Sequence, residues 1–153
     1  MEKQVHYIDS IFYQIEQTAK YCRCLSVQLF QKLELDVTFD EFIVLDTIDA
    51  NECICQRELA KLILKDRAST GRLLNSLEEK DCVERFVDTK NNRLVRKMKL
   101  SEKGRKTLND TTDKIRSYVG TLPQVFNEKD KQALIKAIID FRQNIEKEVQ
   151  MKI

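Results

Sequence analysis

Basic and hydroxyl side chains recur between Asp66 and Leu77, and they give the first indication of binding chemistry. Five such residues lie there: Arg67, Ser69, Thr70, Arg72 and Ser76. An arginine guanidinium can donate two parallel hydrogen bonds to a guanine edge, and hydroxyl groups can reach bases or phosphates. Because Asp66 is a favourable N-cap and leucines recur at helical spacing after it, we predict a helix with one apolar and one polar side.

A group of basic residues follows between Arg85 and Lys106. This segment contains nine Lys or Arg residues and two acidic ones, a net charge of +7, whereas the formal net charge of the whole chain is only +2. A concentrated positive segment in a nearly neutral chain can attract a polyanion. The alternative interpretation is a solvated surface that binds nothing.

A β-hairpin is predicted within residues 82–100. The residues of Cys82–Val87 and of Leu94–Leu100 follow strand patterns, and Asp88–Asn92 has turn-forming residues. The predicted tip carries four basic or amide side chains, which are further candidates for binding: Lys90, Asn91, Asn92 and Arg93.

Two helices are predicted before the polar helix. Thr38 and Glu41 have the spacing of a capping box, which predicts a helix that ends near Ala50–Asn51. Residues 52–55 are predicted to form a strand of a single bridge, and Arg57–Ile63 a short helix. Helix, short helix, helix and hairpin is the order of a winged helix-turn-helix, in which the second helix of the pair enters the DNA major groove and the hairpin, or wing, contacts the flanking backbone or minor groove.

These residues also resemble a known family. The run RELAKLILKDRASTGRLLNSLEEKDCVERF, followed by NNRLVRKMKLSEKGRKTL, is similar to the MarR family, including its closing signature L-[ST]-x-x-G at Leu100–Gly104. The resemblance covers about residues 38–106. It implies a homodimeric transcriptional regulator, in the first instance a repressor, that binds a pseudo-palindromic operator in double-stranded DNA and is relieved by a small-molecule effector between its dimerisation helices and its DNA-binding lobe.

Three positions depart from the family pattern. Gly71 lies inside the predicted recognition helix, where an interior glycine costs up to about 1 kcal/mol. Asp81 occupies the helix exit, where the family usually has Gly, so a left-handed backbone is expected there with mild strain. Asn91 and Asn92 precede Arg93 where the family usually has an Asp, which leaves open whether the wing has an internal salt bridge.

The outer segments of the chain are predicted to be helical and to form a dimer. Val5–Leu33 has apolar residues at a spacing of three to four, Ser101 caps a helix that runs past Tyr118 toward Leu122, and Asn127 caps another that runs to about Gln150. These helices carry more apolar surface than one small lobe can cover, so a second copy is expected to bury the remainder.

Composition and pattern together predict a mainly α fold with a small β wing. The chain has 153 residues, 42% hydrophobic, with one Pro and three Gly, which is typical of a helix-dominated protein with one core. We expect a single MarR-like domain over residues 1–153. The winged helix-turn-helix lobe spans 38–106, and the helical dimerisation region spans 5–33 and 107–150. No apolar run is long enough for a signal peptide or a membrane span, so a cytoplasmic protein without membrane contact is expected.

The five cysteines are predicted to be reduced thiols. Cys22 and Cys24 point about 200° apart on a helix, which is a poor shape for one metal ion, and no metal site or cofactor is expected. The family includes peroxide sensors with a first-helix cysteine, which makes Cys22 and Cys24 candidate redox residues. Lys20 and Arg23 lie beside them and would favour a thiolate if the thiol is partly exposed.

The motifs of the common enzyme classes are missing from the sequence. We find no phosphate-binding G-x-x-x-x-G-K-[ST], no G-x-S-x-G and no H-E-x-x-H, and no catalytic residue is assigned. The leading hypothesis is a sequence-specific DNA-binding regulator, not an enzyme. Two alternatives stay open: a thiol-based redox-sensing regulator, and a winged-helix module that binds a protein.

Overall fold

A computed structural model describes residues 5–150 as six α-helices and one antiparallel hairpin. After a 3-10 turn at Tyr7–Asp9, the elements in chain order are α1 (Ile11–Lys32), α2 (Phe39–Ala50), α3 (Gln56–Leu62), α4 (Arg67–Glu79), β1 (Val83–Lys90), β2 (Arg93–Leu100), α5 (Glu102–Val119) and α6 (Glu128–Glu146). The mainly α fold with a β wing is therefore confirmed. None of the helices in the described range combines the length and apolarity needed to cross a membrane.

Side-chain caps determine where most of the helices begin. The predicted capping box of α2 is present, since Thr38 Oγ1 accepts from the Glu41 amide at 3.2 Å and the Glu41 carboxylate accepts from the Thr38 amide at 2.8 Å. The first long helix begins at Ile11 and not at Val5, because Ser10 caps it by accepting a hydrogen bond from the Tyr13 amide at 3.3 Å. The last helix ends at Glu146, four residues before the predicted Gln150.

The core lies between α2, α4 and the hairpin. Leu45, Leu59, Leu74, Leu77 and Met98 are fully buried. At about 25 cal/mol per Å² of buried apolar area, a completely buried leucine contributes roughly 1.5–3 kcal/mol. This packing determines the orientation of α4, because its buried leucines permit only one side of the helix to reach the surface.

The hairpin is longer than the sequence pattern predicted. Its strands pair from Val83 with Leu100 to Lys90 with Arg93, so only Asn91 and Asn92 form the turn. Both have positive φ, 50° and 59°, as a two-residue type I′ turn requires, and Asn tolerates this left-handed region better than most residues. The predicted five-residue turn was wrong because pairing of Asp88 and Thr89 with β2 satisfies their backbone groups.

A third, minimal strand joins the hairpin to the start of α3. Cys55 forms a single antiparallel bridge with Lys97, and the Met98 amide donates to the Ile54 carbonyl at 3.0 Å. The bridge lies in the predicted segment 52–55. It attaches the base of the wing to the helix-turn-helix.

The connections around the hairpin are tight. Asp81 has φ 57°, which confirms the expected left-handed helix exit, and the next amide, of Cys82, donates to the Leu77 carbonyl at 2.8 Å. Gly104 packs directly on this connection: a Cβ there would lie 1.9 Å from the Cys82 carbonyl oxygen. The glycine of the L-[ST]-x-x-G signature is therefore required by close packing of α5 on the Cys82 backbone.

We expect Gly104→Ala to lower the free energy of unfolding by about 3 kcal/mol, since the added methyl group collides with backbone and not with a flexible side chain. Gly120→Ala is the control, because its Cβ would lie 3.4 Å from the Arg116 carbonyl oxygen, and this change should alter stability by less than about 1 kcal/mol. Urea unfolding of the two variants makes the comparison. Equal stability of both would contradict the packing argument.

Candidate nucleic-acid interface

The exposed side of α4 carries two arginines with long side chains. Arg67 and Arg72 are exposed, and Ser69 between them is half-buried. Ser69 Oγ accepts from Arg72 Nη2 at 2.9 Å and donates to Asp66 Oδ2 at 3.1 Å. These bonds hold the Arg72 guanidinium along the helix surface, and the amide and hydroxyl hydrogen bonds of Ser69 lower the pKa of Asp66. Two planar guanidinium groups, each with several N–H donors, are therefore presented at the surface.

Two of the sequence-predicted binding residues do not lie on this side. Thr70 is completely buried, and its hydroxyl donates to the Asp66 carbonyl at 2.8 Å. Ser76 is half-buried, and its hydroxyl donates to Glu41 Oε1 at 2.6 Å. Their hydroxyls thus point toward the interior. The candidate DNA-binding residues that remain on the surface of α4 are Arg67, Ser69 and Arg72.

A buried carboxylate connects α2 to the end of α4. Glu41 is 3% exposed, and besides Ser76 it accepts a hydrogen bond from Lys80 Nζ at 2.7 Å. Burial by itself raises the pKa of the Glu41 carboxyl, but hydrogen bonds from Lys80, Ser76 and the Thr38 amide hold it below its ordinary value. The second half of α4 is therefore fixed to α2 by charge-assisted hydrogen bonds as well as by leucine packing.

The wing tip brings together all four of its predicted residues. Lys90, Asn91, Asn92 and Arg93 are exposed around the two-residue turn. Within residues 5–150, neither Lys90 nor Arg93 forms an ion pair with a carboxylate. The tip therefore places two cations that form no ion pair in the described structure at one end of the hairpin.

Behind the tip, much of the basic segment is neutralised. Lys97 lies across the strands from Asp88 with 2.6 Å between Nζ and Oδ2, and this hydrogen bond lowers the pKa of Asp88 and raises that of Lys97. The wing thus has an internal ion pair, made by Asp88 and Lys97. Other pairs are Lys99–Glu84, Arg85–Glu78 and Arg105–Asp49.

Comparison with known proteins agrees with this arrangement. The model of the MarR family matches residues 37–95, which include α2, α3, α4, β1 and the wing tip. This segment of the chain is therefore similar to the MarR family. A relative from Bacillus subtilis (strain 168), described as an uncharacterized HTH-type transcriptional regulator YybA, is 24% identical over 123 residues, which cover 80% of this chain and 81% of the relative.

Solved structures share the MarR fold over nearly the whole chain. The transcriptional regulator SlyA superposes with a TM-score of 0.73 at 22% identity, covering 91% of this chain and 96% of its own. A MarR protein from Peptoclostridium difficile gives 0.74 at 18% identity, with 97% and 95% covered. A Staphylococcus aureus MepR mutant bound to an oligodeoxyribonucleotide gives 0.55 at 19% identity, with 89% and 98% covered. These likenesses show that the chain shares the fold of these proteins.

Gly71 has room for a side chain. A Cβ there would lie 3.4 Å from Gln56 Nε2, the one atom outside its own helix within 4 Å, which is close to an ordinary contact. Packing within the chain therefore does not demand this glycine. Its place in the middle of the exposed helix leaves space above the backbone between Arg67 and Arg72.

Two further residues beside this candidate interface were not identified from the sequence. Asn75 is exposed on α4 three residues after Arg72, and helical spacing alone would have identified it. Arg85 lies in β1 and its guanidinium contacts α4, where Nη2 donates to Asn75 Oδ1 at 2.9 Å. Sequence spacing gives no signal for this contact, because it depends on how the hairpin packs on the helix.

The two candidate redox cysteines lie on the surface of α1. Cys22 and Cys24 are both exposed and free. The cations near them are engaged elsewhere: Arg23 donates two hydrogen bonds to Asp40, at 2.7 and 2.8 Å, and Lys20 pairs with Glu16 at 3.0 Å. Among the described residues, no three His, Cys, Asp or Glu side chains converge in a way that could hold a metal ion.

We expect Glu41→Gln to lower the free energy of unfolding at pH 7 by about 1–3 kcal/mol, because Lys80 and Ser76 lose a charged acceptor in a buried site. The Glu41 pKa is depressed on folding, so its contribution is present above the unfolded-state value of about 4.5 and is lost as the pH falls through the lower folded-state pKa. Denaturant unfolding from pH 7 to pH 3.5 should therefore show the gap between wild type and variant closing toward acid.

The matched control is Glu84→Gln, whose pair with Lys99 is exposed on both sides and should contribute less than about 1 kcal/mol. A gap for Glu41→Gln that stays constant across this pH range would show that the carboxylate charge is not what stabilises α4.

Proposed function

We propose that this chain is a homodimeric, cytoplasmic transcriptional repressor that binds a pseudo-palindromic DNA duplex and is released by a small-molecule effector, and that it catalyses no reaction. The observation that carries the proposal is the pairing of two surfaces in one lobe. The arginine side of α4 and the tip of the wing are both exposed, and each has the donors that its place in a winged helix-turn-helix requires.

The two surfaces have different tasks in this proposal. Arg67, Ser69 and Arg72 enter the major groove, where arginine reads guanine edges and Ser69 orients Arg72. Lys90 and Arg93 at the wing tip contact phosphates or the flanking minor groove, which contributes affinity with little sequence information. The MepR mutant bound to an oligodeoxyribonucleotide supports a nucleic-acid partner for this fold. Residues 38–106 would form the DNA-binding lobe.

The outer helices support the dimer. No residue of α6 is buried within the described part of the chain, although α6 carries a stripe of half-exposed isoleucines and leucines: Leu134, Ile135, Ile138, Ile139 and Ile145. Its contact with α1 is carried by Phe12 and Phe141, whose rings lie 5.3 Å apart. Ile8, Ile11 and Phe12 in and before α1 are exposed as well, and exposed apolar surface of this kind is typical of a homodimer interface.

A cavity of about 440 Å³ offers a place for the effector. It lies between the end of α1 and the start of α2, and its wall includes Phe30 and Phe39 with Leu73 of α4. Its lining also includes two cations that are paired with carboxylates, Arg23 with Asp40 and Lys80 with Glu41. Because Leu73 belongs to α4, a ligand bound here would be in contact with the recognition helix.

We expect Arg72→Ala to weaken binding to the preferred duplex by about 1–3 kcal/mol and to relax its sequence preference, since a base-reading guanidinium is removed. Lys90→Ala should weaken binding to all duplexes alike and reduce the slope of log affinity against log salt by about one. Fluorescence anisotropy with a duplex selected by the wild type from a random pool, and with a scrambled duplex, measures both effects.

The control for these two variants is Lys20→Ala, which removes an exposed charge from α1 and should leave both affinities unchanged. Failure of the wild type to select any duplex would overturn the proposed function and favour a winged-helix module that binds a protein.

We expect the chain to sediment as a dimer at micromolar concentration, and Ile138→Glu to sediment as a monomer, because a carboxylate would be buried in an apolar interface. Leu62→Glu is the control, since Leu62 is as exposed as the interface residues but lies on α3 in the other lobe. A wild-type monomer, or a dimer that Ile138→Glu leaves intact, would refute the assignment of this interface.

A further inference from the structure

The guanidinium of Arg85 spans two turns of α4. Nη2 donates to Asn75 Oδ1 at 2.9 Å and lies 3.5 Å from the Gly71 carbonyl oxygen, while Nε lies 3.4 Å from Glu78 Oε2. Positions 71, 75 and 78 follow one row of the helix at spacings of four and three. The Arg85 side chain therefore contacts three residues that lie one above another along the surface of α4.

This contact lies where the hairpin leaves the body of the lobe. On the same face of β1, Val87 is two residues nearer the tip and is 60% exposed, and Leu94 beside the tip is 80% exposed. The base of the hairpin is held on its other edge by the Cys55–Lys97 bridge. Arg85 thus makes a polar contact between the hairpin and α4 at the point where the wing leaves the lobe.

The guanidinium of Arg85 does not have all of its buried donors hydrogen-bonded, as a contact that only stabilises the fold would be expected to have. Its Nε is buried and forms an ion pair with Glu78 Oε2 at 3.4 Å, but it has no hydrogen-bond partner within the described residues. A buried N–H without a hydrogen bond costs free energy. Departures of this kind concentrate at positions where geometry matters for function. The side chain is only 22% exposed, so little of its charge is available to a phosphate.

We propose that Arg85 is a positioning residue: it fixes the angle between the wing and α4 so that both can engage one duplex at the same time, and it contributes to sequence specificity without contacting DNA. The inference rests on the proposed DNA-binding function and adds a determinant of specificity to it. A planar, forked guanidinium suits this task, because it can hold Asn75 and Glu78 together, whereas a lysine ammonium is a point donor.

The test is Arg85→Met, which keeps an apolar stem of similar length and removes the fork. Affinity for the duplex selected by the wild type should fall about tenfold, while affinity for a scrambled duplex and the salt slope on it stay unchanged. Arg85→Lys should restore little of the loss. Hydrogen exchange of the β1 and β2 amides should become faster in the free variant, since the wing is no longer tied to α4.

Glu78→Ala separates positioning from simple electrostatics. Removal of an acid near DNA should on charge alone strengthen binding to every duplex, whereas loss of the Arg85 contact should lower the ratio of selected to scrambled affinity. Because the two residues act through one contact, the double variant Arg85→Met with Glu78→Ala should have a ratio close to that of Arg85→Met alone. This comparison remains valid if the single variants are somewhat less stable.

Lys99→Met is the matched control. It removes a positive charge from the same hairpin, but Lys99 is 58% exposed and pairs with Glu84 across the strands, so the ratio of affinities should not change. The proposal is overturned if Arg85→Met leaves that ratio unchanged, if it lowers the salt slope by about one as a phosphate contact would, or if Lys99→Met has the same effect. If the wild type itself shows no preference between duplexes, the proposed function fails and not the positioning role alone.

Discussion

The burial of Leu74 and Leu77 determines which side chains of α4 reach the surface. Both leucines are fully buried against α2 and the hairpin, and each residue of a helix turns by about 100°. Once these two positions point inward, Thr70 must point inward with them, and Arg72 and Asn75 must point outward. The surface chemistry of α4 is in this sense a consequence of its core packing, because no other rotation of α4 buries the leucines.

Polar contacts then remove the freedom that apolar packing leaves. Leucine packing tolerates small rotations, whereas hydrogen bonds to a buried carboxylate have a narrow geometry. Glu41 binds Ser76 and Lys80 on one side of α4, and Arg85 binds Asn75 on another. The helix is therefore held from α2 and from the wing at once. This double attachment makes α4 and the base of the wing one rigid unit.

Much of this arrangement could be predicted from the sequence, and the reasons for the exceptions are physical. Capping residues are local signals, so the start of α2 at Thr38 and the left-handed exit at Asp81 were predicted correctly. Thr70 and Ser76 were placed on the polar side because a hydroxyl is polar in any pattern; their burial depends on the acceptors that they find, the Asp66 carbonyl and the Glu41 carboxylate.

The contact between Arg85 and α4 could not be predicted from the sequence, for a different reason. It joins residues of a strand and a helix whose relative angle is a tertiary property, and within the sequence Arg85 is one more basic residue in a basic segment. The net charge of +7 counted over residues 85–106 was similarly a poor guide to the surface, because Lys97, Lys99 and Arg105 pair with carboxylates from within and outside that segment. Within that segment the described structure gives no ion pair to Lys90 and Arg93 at the wing tip, or to Arg96, Lys103 and Lys106.

The contrast between the lobe and the outer helices has a consequence for regulation. Within the lobe, α4 is fixed by buried leucines, by Glu41 and by Arg85, whereas α6 has no buried residue of its own in the described chain and contacts α1 through the Phe12–Phe141 pair. If two copies associate through these outer helices, the distance between their recognition helices depends on the outer contacts and hardly at all on deformation of either lobe. A two-fold DNA site fixes the required distance at about one helical turn. The 440 Å³ cavity lies between α1 and α2, so a ligand bound there would change how these helices pack. It would then act by changing the distance between the two DNA-binding lobes, without disturbing the side chains proposed to contact the DNA.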